Sequence, residues 1–315
     1  MARGKRLLTL FFFILVPILL FTLVKNLEWQ EVKQALQSFS AGTLLLCLAI
    51  TVASFCLYGS YDLLGRAYTG HRLPARQIMP VAFVCYAFNL NLTSWIGGVA
   101  LRYRLYSRLG LDMATITRVL SFSLVTNWIG YMMIAGLVFA SGLLDLPQYW
   151  KIGVTGLQWI GVALILVALG YLLACRFARH RSWHFRGHRL TLPSLRLALL
   201  QVGLAMLNWS LSGLLVYLLL PSPVNYPTVL GIMLISSIAG VVTHIPAGLG
   251  VLETVFIALL QYQVSKGAVL AALIGYRAIY LLLPLLIACI VYLLLEKQAQ
   301  VLRRQSEARQ LEPHQ

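Results

Sequence analysis

Acidic residues are scarce in this chain: nine Asp and Glu stand against 25 Lys and Arg in 315 residues, and charged residues of both signs make up only 11% of the sequence. Long polar stretches are missing too. No segment between the apolar runs exceeds about 20 residues, too short to bury a core of its own, so a separate soluble catalytic domain is excluded. The sequence has no Ser-His-Asp constellation, no phosphate-cradling glycine loop and no paired catalytic carboxylates, so nothing in it specifies an enzyme or calls for a cofactor. The five cysteines (Cys47, Cys56, Cys85, Cys175 and Cys289) all fall in apolar runs and form no CxxC pair. That argues against a disulfide framework or a thiolate metal site.

What the chain does have is hydrophobicity: 60% of residues are apolar and the mean hydropathy is +0.82. Both values indicate an all-α polytopic membrane protein. The formal charge of +16 then reads as topology and not as nucleic-acid binding, because basic residues near span ends mark the cytoplasmic side.

Arg3, Lys5 and Arg6 precede an apolar run from Leu7 to Val24 with no small-x-small cleavage site after it, which predicts a retained first span. Between about 26 and 39, Trp29, Val32, Leu36 and Phe39 share one helical face opposite Glu28, Glu31 and Lys33, the pattern of an interfacial helix on the periplasmic side. Further spans are predicted from Ala41 to Leu64, Ile116 to Ala140, Ile152 to Cys175, Leu197 to Leu220 and Ala268 to Leu295. Asp62 marks the end of the second span. The loop with Arg176, Arg179, Arg181, Arg186, Arg189 and Arg196 is assigned to the cytoplasm, as are both termini. Its His180, His184 and His188, four residues apart, fit a helical metal site less well than a basic patch on anionic headgroups, since Gly187 interrupts the helix. All basic residues then lie inside except Lys25, Lys33, Lys151 and Lys266, with Arg277 within a span.

Two stretches do not fit simple crossings. Only about 25 residues separate Arg76 from Arg102, too few for two spans of about 20, yet both ends carry the cytoplasmic mark. A re-entrant hairpin over about 78–101 resolves this, with its turn at Gly97-Gly98 and Asn91 bridging freed backbone groups. A second hairpin over about 228–263 must open to the opposite side, broken where Pro246 removes an N–H and Gly248 and Gly250 permit backbone angles that other residues resist. The architecture predicted is six full spans and two opposed hairpins, about eight hydrophobic units, in a single transmembrane domain over 1–295. A polar cytoplasmic tail over 296–315 follows, helical for one or two turns.

The candidate substrate site is built on these breaks. Arg102 and Glu253 each lie five residues beyond a hairpin glycine, Gly97 and Gly248, and each hairpin is followed by a span with an internal polar residue, Asn127 or Arg277. This spacing points to an inverted repeat. Arg277 lies roughly 13 Å into its span at about 1.5 Å per residue, near the middle of a hydrocarbon core about 30 Å thick. An unpaired charge there costs roughly 2.5 to 3.5 kcal/mol, and Glu253 is the acid expected at that depth. The two either form a structural pair or act on substrate, and Glu253 also reads as a helix cap. Arg102 reads equally as a phosphate ligand and as a boundary marker. His244 reads as a proton carrier or as a partner for freed carbonyls.

The run Asn91 to Arg102, the segment Pro246-Ala-Gly-Leu-Gly-Val-Leu-Glu253 and the segment Arg277-Ala-Ile-Tyr280-Leu-Leu-Leu-Pro284 resemble the lysylphosphatidylglycerol synthase transmembrane-region family over nearly the whole chain. Trp95-Ile96 stands where many members carry a proline. The resemblance implies a bacterial inner-membrane protein that translocates lipid without synthesising it. It carries Tyr280 into the site beside the residues above, with phospholipids as partners and lipid-metabolising proteins as candidate associates. A scaffold for a lipid-handling complex and a secondary transporter of a small polar solute are the alternatives.

The topology is testable by single cysteines in a cysteine-free variant. Positions 104 and 186 should label only from the cytoplasm, and 148 and 224 only from outside. Labelling of 104 from outside would abolish the first hairpin.

Overall fold

The computed structural model describes residues 29–92, 95–144, 153–178, 182–185, 188–221, 224–243 and 248–311. The expected first span, Leu7 to Val24, lies outside them. Helix α1 (Trp29–Gln37) leads into α2 (Ala41–Thr69), which is followed by α3 (Ala75–Asn91), a π-helical turn (Trp95–Ala100) and α4 (Leu101–Arg108). Then come α5 (Met113–Ala140), α6 (Gly153–Phe177), a short hairpin of β1 (Ser182–Phe185) and β2 (His188–Thr191), and α7 (Leu195–Leu219). Helices α8 (Tyr226–Thr243), α9 (Val251–Leu260) and α10 (Lys266–Tyr276), a second π-helical turn (Arg277–Leu282) and α11 (Leu283–Leu311) complete the chain. The protein is an all-helical polytopic membrane protein but for that β-hairpin.

The long helices start where a polar side chain replaces the missing helical acceptor. Ser40 accepts from the Thr43 N–H at 3.1 Å, and Asp112, Ser194 and Ser265 do the same for α5, α7 and α10. The Thr115 hydroxyl and N–H hold the exposed Asp112 carboxyl below its ordinary pKa. Helix α2 ends at Gly70, whose φ of 76° closes the last turn through its N–H to the Arg66 carbonyl.

Six helices among the described residues are long and apolar enough to cross a membrane: Ala41–Thr69, Met113–Ala140, Gly153–Phe177, Leu195–Leu219, Tyr226–Thr243 and Lys266–Lys297. Five correspond to expected spans. The sixth is the first arm of the second hairpin, which is long enough to cross by itself where a re-entrant arm was expected. The order long helix, shorter helix, break, return helix, long helix occurs twice, in α2–α5 and in α7–α11.

The two hairpins open toward opposite ends of the molecule. The Tyr68 hydroxyl, at the end of α2, donates to the Thr191 carbonyl just before α7 (2.6 Å). At the other end, a Cβ placed on Gly275 would meet both the Phe39 ring, just before α2, and Leu219, at the close of α7. Helices α2 and α7 are therefore antiparallel. Helix α4 ends beside α11, where Arg104 Nε reaches Glu296 at 2.8 Å, while α9 ends in the cluster of Leu219, Leu220, Leu260 and Val264. Leu36 and Phe39 of the expected interfacial segment pack on that cluster.

Three sequence expectations need correction. Gly97 and Gly98 lie inside the π-helical turn Trp95–Ala100, so helical backbone stands where a flexible bend was expected. Gly98 is needed because a Cβ there would come within 2.6 Å of Asn89 Oδ1, so its role is close approach of the two arms. His184 and His188 stand on paired strands, Phe185 opposite His188 and His184 opposite Arg189, and extended backbone removes the helical spacing on which a metal site depended. The tail does not end after a turn or two: α11 continues to Leu311, and Glu296 is buried.

Small residues set the packing of α5, α6 and α7, as expected where hydrophobicity gives no net drive between helices. A Cβ on Gly161 would lie 2.5 Å from the Ala140 nitrogen, and one on Gly130 would lie 2.1 Å from the Ala205 Cβ. Gly161→Val should lower the unfolding midpoint of the purified protein by several degrees, an overpacking cost of about 1–3 kcal/mol. Gly170→Val, where nothing lies within 4 Å, should leave it unchanged. For the labelling test, Arg104 and Val224 are buried, so the exposed Ser107 and Pro221 replace them; positions 148 and 186 lie outside the described residues.

Candidate functional site

The second break brings four of the expected residues together. Gly248 and Gly250 have φ of 57° and 78°, in the left-handed region that other residues avoid. This turns the chain so that α9 begins with Glu253 in its first turn. The Glu253 carboxylate accepts from the Gly250 N–H at 2.9 Å, meeting an orphan donor at the positive end of the helix dipole. It also receives Arg277 in a two-pronged contact, Nε to Oε1 at 2.7 Å and Nη2 to Oε2 at 3.0 Å, and the same Nη2 donates to the Gly248 carbonyl at 3.2 Å. The expected pair is formed and the expected cap is present. His244 and Pro246, of the same stretch, lie outside the described residues.

Arg277 opens the second π-helical turn. The reason for the wide turn lies downstream: Pro284 has no N–H to return to the Tyr280 carbonyl, and the Leu283 N–H reaches back to Ala278 instead. The neighbouring Leu281 carbonyl accepts from Asn91 Nδ2 at 3.0 Å, and the same amide donates to the Ala87 carbonyl at 2.8 Å. Asn91 therefore ties the end of α3 to the second π-helical turn. Tyr280 is buried and does not touch the ion pair; its hydroxyl shares a 2.8 Å hydrogen bond with Ser54, which donates to Asn208 Oδ1.

Arg102 lies apart from this group. Its Nη2 is 3.1 Å from Asp62 Oδ1, with the two side chains only 3% and 0% exposed. The Tyr106 hydroxyl (2.6 Å) and the Ser123 hydroxyl (2.9 Å) also donate to Asp62, and the guanidinium sits 4.9 Å from the centre of the Tyr86 ring. Where the sequence left Arg102 as a phosphate ligand or a boundary marker, the structure shows its guanidinium sealed against a carboxylate. Sequence reading passed over Asp62 as the end of a span; the signal was the need of Arg102 for a partner. Glu296, read as the first residue of the tail, binds Arg104 and Arg108.

Rings connect the two halves. Tyr86 stacks on Tyr58 at 4.3 Å, Tyr58 meets Phe55, Phe55 meets Tyr280, and Tyr280 stacks on Tyr276 at 5.2 Å, next to Arg277. The exposures differ sharply. Arg277 and Glu253 side chains are 12% and 19% exposed; Leu249 in the adjoining turn is 54% exposed, as are Val241 (51%) and Val242 (70%) at the end of α8, which approaches the turn at Gly240. One ion pair is sealed from solvent; the other is partly exposed beside apolar side chains.

The closed pair should behave as a structural clamp. Asp62→Ala strands a buried guanidinium and should cost about 3–5 kcal/mol of stability, whereas the double replacement Asp62→Leu with Arg102→Met should cost less than that single. Denaturant unfolding of the three purified proteins reads the difference; equal losses would mean the two charges are not coupled.

The model of the lysylphosphatidylglycerol synthase TM region matches residues 7–288. Inner membrane protein YbhN of Escherichia coli (strain K12) is 49% identical over 306 residues, covering 97% of this chain and 96% of that protein. An uncharacterised Synechocystis protein is 30% identical over 82% of this chain and 80% of its own length. The phosphatidylglycerol lysyltransferase of Staphylococcus haemolyticus is 23% identical over 91% of this chain, which spans only 34% of that protein. With the family model matched over most of its length, this chain belongs to the lysylphosphatidylglycerol synthase transmembrane-region family.

Proposed function

We propose that the protein moves phospholipids, or a lipid-linked carrier, between the leaflets of the bacterial inner membrane, and does so without lipid synthase activity. The observation that carries this reading is the open Glu253–Arg277 pair. Two opposite charges at membrane depth, partly exposed beside exposed apolar side chains, are what a polar headgroup needs in order to leave the interface while its acyl chains stay in lipid. The opposed hairpins support it, because broken helices entering from the two sides are the arrangement from which alternating access is built. The family supports it as well, in that the region shared with the lysyltransferase is the membrane region alone.

In this reading the end bearing Arg66, Arg104, Arg108 and the β-hairpin faces the cytoplasm, both termini lie there, and its arginines meet anionic headgroups. A closed Asp62–Arg102 pair fixes the first hairpin while the second handles substrate. The exposed apolar side chains at the second break support this reading over a small-solute transporter, whose cavity would be sealed from the bilayer.

Purified protein in liposomes should speed the movement of labelled phospholipids between leaflets over protein-free vesicles. No acceleration for any headgroup would leave the protein as a scaffold in a lipid-handling complex. Glu253→Gln and Arg277→Gln should each slow movement roughly tenfold or more, equivalent to about 1.4 kcal/mol, and the double variant should be at least as slow as the worse single with its thermal unfolding intact. A stable, fully active double variant would remove both residues from the site.

A further inference from the structure

Buried hydroxyls lie between the two ion pairs, in places where packing alone would need no polar atom. We infer that this polar core is a proton path between the Glu253 and Asp62 carboxylates, through which a transmembrane proton gradient drives the lipid movement proposed above. The coupling rests on that reading; the path itself does not.

Spacing lays the path down. Ser54, Tyr58 and Tyr61 share one face of α2, and Asp62 follows directly. Asn208 and Ser212 on α7 are four residues apart, as are Tyr276 at the end of α10 and Tyr280 in the second π-helical turn, so each helix presents a polar stripe. The stripes meet. The Ser54 hydroxyl donates to Asn208 Oδ1 and shares a 2.8 Å hydrogen bond with Tyr280, and the Ser212 and Tyr276 hydroxyls are 3.5 Å apart. All of these side chains are buried. From Ser54 to Asp62 the stripe on α2 covers about 12 Å at about 1.5 Å per residue; at the other end Tyr276 precedes Arg277, which holds Glu253.

Helix adhesion alone does not account for these groups. Phenylalanine in place of tyrosine would fill nearly the same space, and a polar atom buried at membrane depth costs free energy unless it is bonded. The Tyr61 hydroxyl is fully buried and faces Asn208 without a hydrogen bond to it, and Arg102 Nε, beside Tyr86, has no acceptor among the described residues. As adhesive contacts these two groups contribute nothing. Buried polar atoms of this kind are matched by water held between them, and the Tyr61 hydroxyl stands where such a water would join the Asn208 cluster to the Asp62 cluster. A row of hydroxyls and water between two carboxylates inside a membrane is the chemistry of a proton relay.

The transfer balances. A proton enters on the partly exposed Glu253 carboxylate; each hydroxyl or water in turn takes a proton on a lone pair and gives its own to the next, and one proton arrives on Asp62, from which it leaves on the side of Arg104. Nothing is oxidised or reduced. Around Asp62 stand Arg102 and Tyr106 from α4, Ser123 from α5, and Cys85 and Tyr86 from α3, with Arg66 and His71 farther toward the end of α2. Arg277 and the Gly250 N–H face Glu253. Each carboxylate holds an arginine, so a proton on Glu253 loosens Arg277 and a proton on Asp62 loosens Arg102 on the first return helix, while the Tyr86 ring keeps that guanidinium in place. Release of the two hairpins one after the other is the link between the proton and the lipid.

The test is proton uptake by the purified full-length protein in phosphatidylethanolamine and phosphatidylglycerol liposomes that enclose a pH-sensitive dye, driven by an inside-negative potassium diffusion potential. Uptake should exceed that of protein-free vesicles roughly fivefold or more, and Tyr61→Phe and Ser54→Ala should each remove most of the excess. Tyr61→Phe should leave thermal unfolding unchanged or raise it, because its hydroxyl has no protein partner; loss of uptake without loss of stability is what a purely structural hydroxyl would not give. The double replacement Asp62→Leu with Arg102→Met, which removes the receiving carboxylate without stranding a charge, should take up no more protons than empty vesicles. Wild-type uptake equal to that of empty vesicles overturns the inference, as does unchanged uptake in a folded Tyr61→Phe protein, and the wild-type comparison stands whether or not any variant folds. Proton uptake without movement of labelled lipid between leaflets leaves the path standing and removes the lipid-moving reading. Lipid movement that is indifferent to an imposed pH gradient, with no proton uptake, removes the path and leaves that reading.

Discussion

A guanidinium inside hydrocarbon has no water to turn to, and much of this structure follows from that. Three arginines of the first return helix and the π-helical Arg277 all enter the protein interior or its apolar face, and each finds a carboxylate: Arg102 finds Asp62, Arg104 and Arg108 share Glu296, and Arg277 takes Glu253. With so few acids in the chain, three of them are committed to these pairs. Each pair ties a return helix to a long helix distant in sequence. The ionic contacts therefore fix where α4 and α9 lie, which apolar packing alone would leave free to slide.

The backbone obeys the same constraint. A helix broken at membrane depth releases N–H and C=O groups that lipid cannot satisfy, and the protein supplies their partners from side chains. Arg277 serves Gly248, and Glu253 serves Gly250. Asn91 donates to the Ala87 and Leu281 carbonyls, so the end of α3 is tied to the turn behind the second break. The ring contacts from Tyr86 to Tyr276 run through the same region. A shift at either hairpin would reach the other through packed, hydrogen-bonded groups, a physical route for coupling between opposed halves.

What separates the halves is exposure and not chemistry. Both hold an arginine–carboxylate pair on a return helix, but the Asp62 pair is wrapped by Tyr106 and Ser123 while the Glu253 pair is partly exposed beside Leu249. The sequence gives no hint of this difference, since Gly97 to Arg102 and Gly248 to Glu253 have the same spacing. The asymmetry arises from which neighbour each helix meets.

The sequence by itself determined the membrane class, five of the long helices, the two breaks, and the placement of Glu253 in the first turn after a glycine bend. These depend on local quantities: runs of apolar residues, the missing N–H of proline, and the conformational freedom of Gly248 and Gly250. It also required a partner for Arg277 at depth, because a lone charge there is costly wherever the chain runs. Only the tertiary structure decided that Arg102 belongs to Asp62, that Glu296 is buried and not the start of a loose tail, that Gly98 exists for Asn89, and that one ion pair is sealed while its counterpart is open. Those facts are contacts between residues far apart in sequence, such as Arg104 with Glu296 and Asn91 with Leu281. They are set by how helices approach one another, which periodicity and composition do not encode.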